Sequence, residues 1–427
     1  MKMIWDITNK CNLKCKHCGA VNLKQENLIE KINLEKIINY ISEFIEEVHI
    51  LGGEPLVQPN IFTCINLLKK NNIKVKLITN GQFDDSISKK LIESNVDFIL
   101  ISIDGLEEEN DKIRGNNSWD KSKKFLDSLI KYRELKNINT KIGVNFVINN
   151  VNYRKIKEFI DYFNNIDIDT IQINPLILEG NALENNLNIE EKENLNLLEN
   201  ITEYIVEKKI EKVIINNEYP IISKYLNQKY GSKYYIDESI CTALIDSIYC
   251  NPDGNIYPCR KYNKSYIGIS KIYSKESGWD TDFNLFDDFL KETSIVEHRK
   301  GCGKCEYKEI CKPCPLKKEN EMPKICQIIH EKMEKNKIPY FSKFKLIKPY
   351  SIIEKNGHFF MYNPKINMKT EYTYDGFRIL KELSEEISIS DLAKKSNLSE
   401  DIIYKFLLQE KEAGKICEIK NDELIVG

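Results

Sequence analysis

The segment MIWDITNKCNLKCKHC, residues 3–18, determines how the rest of this chain is interpreted. An apolar run suited to a buried strand leads directly into three cysteines with the spacing C-x3-C-x2-C. A zinc site would require a fourth ligand close by, and His17 lies inside the triplet. Three thiolates also suit a 4Fe–4S cluster with one iron left open. The spacing alone leaves zinc and iron–sulfur open as alternatives.

Alternating strand and helix patterns occupy the first half of the chain, up to about residue 210. The strand candidates are apolar, and the segments between them place apolar residues three and four positions apart, as amphipathic helices do. This pattern predicts an α/β fold with a parallel sheet covered by helices, and six β/α units suit a partial (β/α)6 TIM-type barrel better than a closed one. The predicted strands are MIWDIT, EVHILGG, KVKLITNG, DFILISIDG, KIGVNFVI and TIQINPLI.

Polar and glycine residues follow these strands, at the edge where parallel α/β proteins carry their chemistry. The cysteine triplet follows the first strand, and GGEP, residues 52–55, follows the second. These two motifs in this order resemble the radical S-adenosylmethionine (SAM) superfamily. The resemblance implies a 4Fe–4S cluster on Cys11, Cys15 and Cys18, whose open iron chelates the amino and carboxylate groups of SAM. Electron transfer to SAM then releases a 5′-deoxyadenosyl radical.

The same resemblance implies further cofactor-binding residues at the strand ends. Gly52 and Gly53 let backbone approach a ligand closely, and Glu54 offers a carboxylate to an ammonium group. An ordinary β-to-α turn would explain the glycines but not the cysteines. His17 is expected to pack against the cluster or adenine rather than to ligate iron. The other candidates, each of which also fits loop capping or a surface ion pair, are Asn80, Ser102, Asp104, Arg114 and Asn145.

Eight further cysteines lie between residues 241 and 326, where little periodicity remains and metal must replace a hydrophobic core. The blocks CTALIDSIYCNPDGNIYPC and CGKCEYKEICKPC resemble the SPASM domain, the auxiliary-cluster extension of peptide-modifying radical SAM enzymes, although the last gap of the second block is one residue shorter than usual. The family pattern assigns an outer 4Fe–4S cluster to Cys302, Cys305, Cys311 and Cys326. It assigns an inner cluster to Cys241, Cys259 and Cys314, with Cys250 as the expected fourth ligand.

Two alternatives remain for this region. If Cys250 faces the core instead, the inner cluster has an open iron for a substrate thiolate. A zinc ribbon fits the number and order of cysteines less well. The two isolated cysteines, Cys64 and Cys417, are expected to be packing residues.

The segment from residue 346 onward has the element order of a small winged helix. PYSIIEKNGHFFMYNP predicts a hairpin with an Asn-Gly turn, three helical segments follow, and KICEIKNDELIVG predicts a second hairpin. Residues 343–427 hold 14 Lys and Arg against 14 Asp and Glu, which argues against a DNA-reading face. The segment resembles the precursor-peptide recognition domain related to the pyrroloquinoline-quinone peptide chaperone. Such domains capture a leader peptide as an added strand, and the HFFMYNP strand with the following helices would form that groove.

Composition restricts the partners and the location. The 427 residues are 41% hydrophobic, and 63 basic against 65 acidic residues give no reason to expect nucleic acid or an anionic membrane as a partner. The absence of a long apolar run and of a secretory signal predicts a cytoplasmic protein. The predicted domains are a radical SAM partial barrel at 1–215, a bridging segment at 216–240, a SPASM domain at 241–345 and a winged-helix recognition domain at 346–427.

The sequence therefore predicts a radical SAM maturase that installs an oxidative cross-link, thioether or carbon–carbon, in a ribosomally synthesised precursor peptide. Its expected cofactors are SAM and three 4Fe–4S clusters, and its expected partners are the leader peptide and an external electron donor such as flavodoxin or ferredoxin. One alternative is an anaerobic sulfatase-maturing enzyme that forms formylglycine, for which a leader-binding domain is superfluous. Another is an iron–sulfur regulator that binds DNA through the winged helix. No catalytic base can be assigned from the sequence.

Overall fold

The computed structural model describes most of the first half of the chain and shorter stretches of the second. The described residues are 1–19, 34–216, 220–230, 247–252, 255–260, 267–268, 302, 321–335, 343–346, 351–355, 358–363, 368–383, 387–412, 416–420 and 423–426. Four predicted metal ligands, Cys241, Cys305, Cys311 and Cys314, lie outside them. The chain divides into two compact units, Met1–Pro220 with Asp237–Lys324, and Ile221–Ile236 with Ile325–Gly427.

The first unit is built on a mostly parallel sheet, which has ten strands among the described residues in the order β10-β9-β8-β1-β2-β3-β4-β5-β6-β7. All six predicted strands are present as β1 to β6, in sequential parallel order, which confirms the partial TIM-type sheet. The strands are β1 (Lys2–Asp6), β2 (Glu47–Leu51), β3 (Lys74–Thr79), β4 (Phe98–Ser102), β5 (Lys141–Val147), β6 (Thr170–Asn174), β7 (Val213–Ile215), β8 (Ser247–Cys250), β9 (Asn255–Tyr257) and β10 (Ile267–Gly268).

Strand alternation explains the two faces of this sheet. Trp5, Ile50 and Leu77 lie side by side in register and are 1% exposed or less, whereas the preceding residues Ile4 and His49 on the other face are partly exposed. The connecting helices have the apolar spacing needed to cover the buried face. They are α1 (Leu34–Ile41), α2 (Ile61–Lys70), α3 (Asp85–Glu93), α4 (Glu107–Arg114), α5 (Ser118–Lys136), α6 (Ile156–Asn164), α7 (Asn181–Glu184) and α8 (Glu191–Glu207).

Two features of the sheet were not predicted. β7 follows the six predicted strands and pairs in parallel with β6. β8, which carries Cys250, pairs in parallel with β1 on its other side, and β9 and β10 continue antiparallel from it. The strand that leads into the first cysteine triplet is therefore the direct neighbour of the strand that carries Cys250 of the second group.

The second unit combines two antiparallel sheets with helices. Both predicted hairpins are confirmed, the first as β12 with β13 and the second as β16 with β17. The sheets have the orders β15-β11-β16-β17 and β12-β13-β14. The strands are β11 (Lys343–Leu346), β12 (Ser351–Lys355), β13 (His358–Asn363), β14 (Met368–Tyr372), β15 (Ile387–Ser388), β16 (Ile416–Lys420) and β17 (Glu423–Val426). The remaining helices are α9 (Pro220–Tyr230), α10 (Lys324–Lys335), α11 (Tyr374–Glu382), α12 (Ile389–Ser396) and α13 (Glu400–Glu412).

An apolar cluster holds this second unit together. Leu383, Ile389, Leu392 and Ile403 are fully buried in it, and Met361 joins them from β13. No helix in the described ranges of either unit is both long and apolar enough to cross a bilayer.

Candidate active site

The loop that carries the first three cysteines rests on the glycine pair after β2. Gly53 N donates to Thr8 O at 2.7 Å, and Glu54 N donates to Lys10 O at 2.9 Å. Gly52 has φ +141°, and a Cβ there would lie 2.4 Å from Thr8 O. A Cβ on Gly53 would lie 2.4 Å from Lys10 O. These glycines thus let the turn after β2 approach the backbone of the cysteine loop closely. A side chain at either position would push the loop out of this contact.

The three cysteines of the loop differ in exposure. Cys11 is exposed, Cys15 is 8% exposed and Cys18 is intermediate, and none forms a disulfide. Burial raises the pKa of Cys15 to about 11 and also raises that of Cys11, and the three thiols lie within electrostatic range of one another. No three metal-ligand side chains stand together at coordinating distance in the described part of the chain. The thiols share one loop without forming a preassembled cage.

Asn80, a predicted cofactor contact, has its side-chain amide directed at the cysteine loop. Its Nδ2 donates to Asn12 Oδ1 at 2.7 Å and approaches Cys11 Sγ at 3.8 Å. Leu13 N also donates to Cys11 Sγ, at 3.4 Å. Donors aimed at a cysteine sulfur are a common way in which proteins tune a metal ligand. The structure therefore gives Asn80 a contact with a predicted ligand; its contact with SAM remains a prediction.

Glu54 is 1% exposed, and its carboxylate accepts hydrogen bonds from three protein groups. Its Oε1 accepts from Leu56 N and Thr79 Oγ1, and its Oε2 accepts from Asn80 N at 2.7 Å. The carboxylate therefore links the ends of β2 and β3, and it caps the short 3₁₀ helix Pro55–Val57. Burial raises the pKa of Glu54 to about 7, although the three donors pull it down.

This raised pKa predicts a pH dependence of stability. Between its ordinary pKa of 4.5 and about 7, Glu54 keeps a proton in the folded state that the unfolded chain has lost. The free energy of unfolding of the metal-free protein is therefore expected to fall as pH rises through this window, by roughly 3 kcal/mol for a shift of this size. Urea unfolding at pH 5 and pH 7.5 measures it. Glu54→Gln should reduce the dependence of the free energy of unfolding on pH, and Glu107→Gln, at an exposed position, should not. An unchanged pH dependence in Glu54→Gln would contradict the raised pKa of Glu54.

Asp104, Arg114 and His17 form a buried polar group just beyond the end of β4. Arg114 Nε donates to Asp104 Oδ2 at 2.6 Å, and His17 Nε2 lies 3.0 Å from the same oxygen. Val147 N donates to Oδ1 at 2.8 Å. Burial alone would raise the pKa of Asp104, but Arg114 and then His17 hold it well below its usual range. Arg114 is 7% exposed and commits its Nε to Asp104, so a role toward a SAM carboxylate remains a prediction.

Ser102 and Asn145 lie next to this group. They are register neighbours on β4 and β5 at the carboxyl edge of the sheet. Ser102 is 9% exposed, and Asn145 Oδ1 accepts from Asn174 Nδ2 at 2.8 Å. Asn216 Nδ2 in turn donates to Asn174 Oδ1 at 2.7 Å. The sheet edge therefore carries a row of amides, which extends the predicted site toward β6 and β7.

Sequence reasoning missed the residues that hold the cysteine loop from the far side. Asn181 Nδ2 donates to Cys15 O at 3.0 Å, and Asn181 N donates to Cys18 O at 3.0 Å. Gly180, at φ +52°, permits this contact, since a Cβ would lie 2.9 Å from Cys18 O. The glycine in EGN signals a turn, but nothing local in the sequence links that turn to a loop more than 160 residues away.

The second group of cysteines is described in part. Cys250 ends β8 beside Trp5 and is fully buried, which raises its pKa well above its usual value. Cys259 follows β9 and Cys302 is half-buried, while Cys326 lies in α10 of the second unit. Asp6 Oδ2 accepts from Tyr249 OH at 2.8 Å and from Arg260 Nε at 3.0 Å. This buried carboxylate ties β1 to the residues that adjoin Cys250 and Cys259.

Comparison with protein families identifies the first part of the chain. Residues 5–163 match the model of the Radical SAM superfamily. The matched span contains the cysteine loop, the glycine pair and the Asp104 group. Over these residues the chain is similar to a radical SAM domain.

Curated relatives match this chain over different lengths. The Fe-coproporphyrin III synthase of Methanosarcina barkeri is 28% identical over 42% of this chain and 44% of its own length. An uncharacterized protein of Methanocaldococcus jannaschii is 29% identical over 64% of this chain and 93% of its own length. The chain thus spans less than half of the relative whose activity is named.

Two solved structures share the fold over most of the chain. Streptococcus suis SuiB bound to precursor peptide SuiA has a TM-score of 0.56 and 18% identity, and the match covers 76% of this chain and 75% of SuiB. Native anSMEcpe with bound AdoMet and Cp18Cys peptide has a TM-score of 0.58 and 20% identity, over 78% of this chain and 95% of anSMEcpe. At these identities the likeness concerns the fold alone.

Proposed function

We propose that this protein is a radical SAM maturase that installs an oxidative cross-link, thioether or carbon–carbon, in a ribosomally synthesised precursor peptide in the cytoplasm. The observation that carries the proposal is the loop of Cys11, Cys15 and Cys18, held at the carboxyl edge of a parallel sheet where such folds carry their chemistry. The match of residues 5–163 to the Radical SAM superfamily supports it.

The residues of the cysteine loop fit a 4Fe–4S cluster with bound SAM. Three thiols with no fourth cysteine in residues 1–19 suit a cluster with one open iron. Asn80 and Leu13 aim donors at Cys11 Sγ, as the surroundings of an iron–sulfur ligand require. When bound, the cluster and SAM supply a 5′-deoxyadenosyl radical that takes a hydrogen atom from the peptide. The other proposed contacts of SAM are Gly52, Gly53, Glu54, Asn80, Ser102, Asp104, Arg114 and Asn145.

The second group of cysteines would hold two auxiliary 4Fe–4S clusters of a SPASM domain. We assign the outer one to Cys302, Cys305, Cys311 and Cys326, and the inner one to Cys241, Cys250, Cys259 and Cys314. The pairing of β8 with β1 supports this assignment, since it places Cys250 on the strand beside β1, which leads into the first cysteine loop. Closing the ring would turn the substrate radical and an X–H group into an R–X bond with loss of one proton and one electron, and a nearby cluster would be a suitable acceptor for that electron. An external donor such as flavodoxin or ferredoxin would reduce the first cluster.

The C-terminal unit is the proposed site for the leader peptide. SuiB and anSMEcpe were both solved with a bound peptide, which supports a peptide partner here. The sequence predicts that the HFFMYNP strand and the following helices form the groove, and in the structure this strand, β13, is paired on both sides, with β12 and β14. An added strand would therefore need the outer edge of β12 or β14.

Exposed apolar side chains in this unit provide a test of leader binding. Tyr374 on α11 is 60% exposed, and its ring centroid lies 5.4 Å from that of Phe359 on β13, with the two rings tilted by 54°. Ile402 on α13 is 53% exposed. We expect Tyr374→Ala with Ile402→Ala to weaken precursor binding about tenfold, since apolar anchors supply much of the affinity of a peptide groove. SAM cleavage without peptide should not change. Leu135→Ala, which removes another exposed side chain, is the control, and unchanged affinity in the double variant would contradict the assignment.

The whole proposal is tested by product analysis. Anaerobically reconstituted protein, with reductant and SAM, should convert a small precursor peptide, to be sought among the reading frames beside its gene, into a product about two mass units lighter, as loss of two hydrogens on cross-linking requires. Formylglycine in the product would favour the sulfatase-maturing alternative instead. Binding of operator DNA with no cleavage of SAM would favour the regulator, and gel shifts at stated salt concentrations test that case.

A further inference from the structure

The two faces of the first unit's sheet differ at β5, β6 and β7. Successive side chains of a strand point to opposite faces. On β5, Phe146 is fully buried and its ring centroid lies 4.6 Å from that of Phe159 on α6, so it points to the face that the helices cover. Asn145 and Val147 therefore point to the opposite face, where both are partly exposed. We call this second face the open face.

Toward the carboxyl ends of these three strands, the described residues of the open face are uncharged. Gln172 and Asn174 of β6 lie on it and are partly exposed, because the residues that alternate with them are buried. The register places Gln172 between Asn145 and Ile214 of β7, and Ile214 is 40% exposed. Strands that are covered on both faces are usually apolar throughout, so this composition indicates a surface for a neutral, polar ligand.

Three side-chain amides form a hydrogen-bonded row across the open face. Asn216 Nδ2 donates to Asn174 Oδ1 at 2.7 Å, and Asn174 Nδ2 donates to Asn145 Oδ1 at 2.8 Å. Asparagine is depleted in strands, so such a row is unusual there. Among the described residues, neither Asn216 Oδ1 nor the side chain of Gln172 has a hydrogen-bond partner. An amide oxygen accepts and an amide nitrogen donates, so both remain available to a ligand.

This row begins where the proposed SAM site ends. The proposed contacts of SAM extend along the sheet from the first cysteine loop to Asn145 on β5, so a molecule bound on β6 and β7 would lie beside SAM. The group that gives up a hydrogen atom must lie there. A peptide main chain matches the row, since each residue carries one N–H donor, one C=O acceptor and no charge.

We propose that Asn174 and Asn216, with Gln172 beside them, bind the main chain of the precursor peptide next to SAM, with Asn216 Oδ1 as acceptor for a peptide N–H. The inference rests on the proposed function and adds the residues that position the substrate. Contacts of this kind place a peptide without reading its side chains.

Two probes without side chains test for main-chain recognition. N-acetyl-pentaglycine amide presents peptide N–H groups, and N-acetyl-pentasarcosine amide has the same chain with N-methyl groups in their place. Ligand-observed NMR titration of the iron-loaded protein with SAM gives the Kd of each. We expect the wild type to bind the glycine probe about tenfold more tightly, and Asn174→Leu and Asn216→Leu to bind both probes about equally.

Three controls accompany this titration. Asn165→Leu removes an exposed amide at the end of α6 and should keep the preference for the glycine probe. Asn216→Asp keeps an acceptor at the same position and should also keep it, which a merely structural role of the amide row does not predict. The Kd for SAM, measured by equilibrium dialysis, should stay within about threefold of the wild type in every variant.

Deuterium transfer tests where the probe lies. If the glycine probe carries deuterium at Cα, the 5′-deoxyadenosyl radical takes a deuterium atom from it. The 5′-deoxyadenosine is then one mass unit heavier, by about 1 Da, and a carbon radical remains on the probe. We expect labelled 5′-deoxyadenosine from the wild type and about tenfold less from Asn216→Leu.

Three results would overturn the inference. The wild type might bind both probes equally, or the preference for the glycine probe could survive in both leucine variants. In the third case these variants lose affinity for SAM as much as for the probe, and the row then binds SAM. The proposed function fails separately, if the wild type forms no 5′-deoxyadenosine, and the titrations do not require SAM cleavage.

Discussion

Replacing Cys11, Cys15 and Cys18 together with alanine is expected to remove about four of about twelve irons and to abolish formation of 5′-deoxyadenosine. The effect should be complete, because thiolates are the ligands of such clusters and the described residues of this loop contain no other cysteine. Iron and sulfide analysis after anaerobic reconstitution, with chromatography of the SAM products, measures both. The auxiliary clusters should remain, since their proposed ligands lie between residues 241 and 326.

Cys64→Ala is the matched control for this experiment. Cys64 is fully buried on α2 and burial raises its pKa to about 12, as expected of a thiol that packs in a core. Its removal should cost some stability through a small cavity but no iron and no SAM cleavage. Zinc without sulfide in the wild type, or SAM cleavage that survives the triple substitution, would contradict the assignment of the first cluster.

Asp104→Ala is expected to cost about 3–5 kcal/mol in the free energy of unfolding at pH 7. The reason is that Arg114, at 7% exposure, would be left as a buried charge without its partner, and Val147 N would lose its acceptor. Because the pKa of Asp104 lies well below its usual 3.8, this stabilisation is complete above about pH 4 and is lost as pH falls through the lowered value. Urea unfolding of the metal-free protein measures the loss.

Asp127→Ala is the control for the buried pair. Asp127 pairs with Lys123 one helical turn away on α5 and is 54% exposed, so its removal should cost at most about 0.5 kcal/mol. Asp104→Asn keeps the shape and an acceptor for Val147 N, and it should still be strongly destabilised, since the charge of Arg114 stays uncompensated. A loss in Asp104→Ala no larger than that in Asp127→Ala would contradict the account of this group.

The sequence by itself determined the local elements of this protein. Short apolar runs alternating with helical spacing predicted β1 to β6, and Asn-Gly between two β-rich runs predicted the β12–β13 hairpin, because these patterns act over a few residues. The cysteine spacing, together with GGEP, also predicted that this loop and this turn lie at the same edge of the sheet. Parallel neighbouring strands bring their carboxyl ends to one edge, so that placement follows from strand order alone.

Only the tertiary structure decided which residues, distant in the sequence, contact the first cysteine loop and the strand before it. Asn181 donates a hydrogen bond to Cys15 O, 166 residues away in the sequence, and β8 pairs with β1, more than 240 residues away. Neither contact leaves a periodic signal in the sequence. Arg114 and Asp104, both predicted as SAM contacts, turned out to bond each other, because a buried charge must find a partner and the fold brings the two side chains together. Such pairings depend on the packing of whole elements, which the spacing of residues along the chain does not encode.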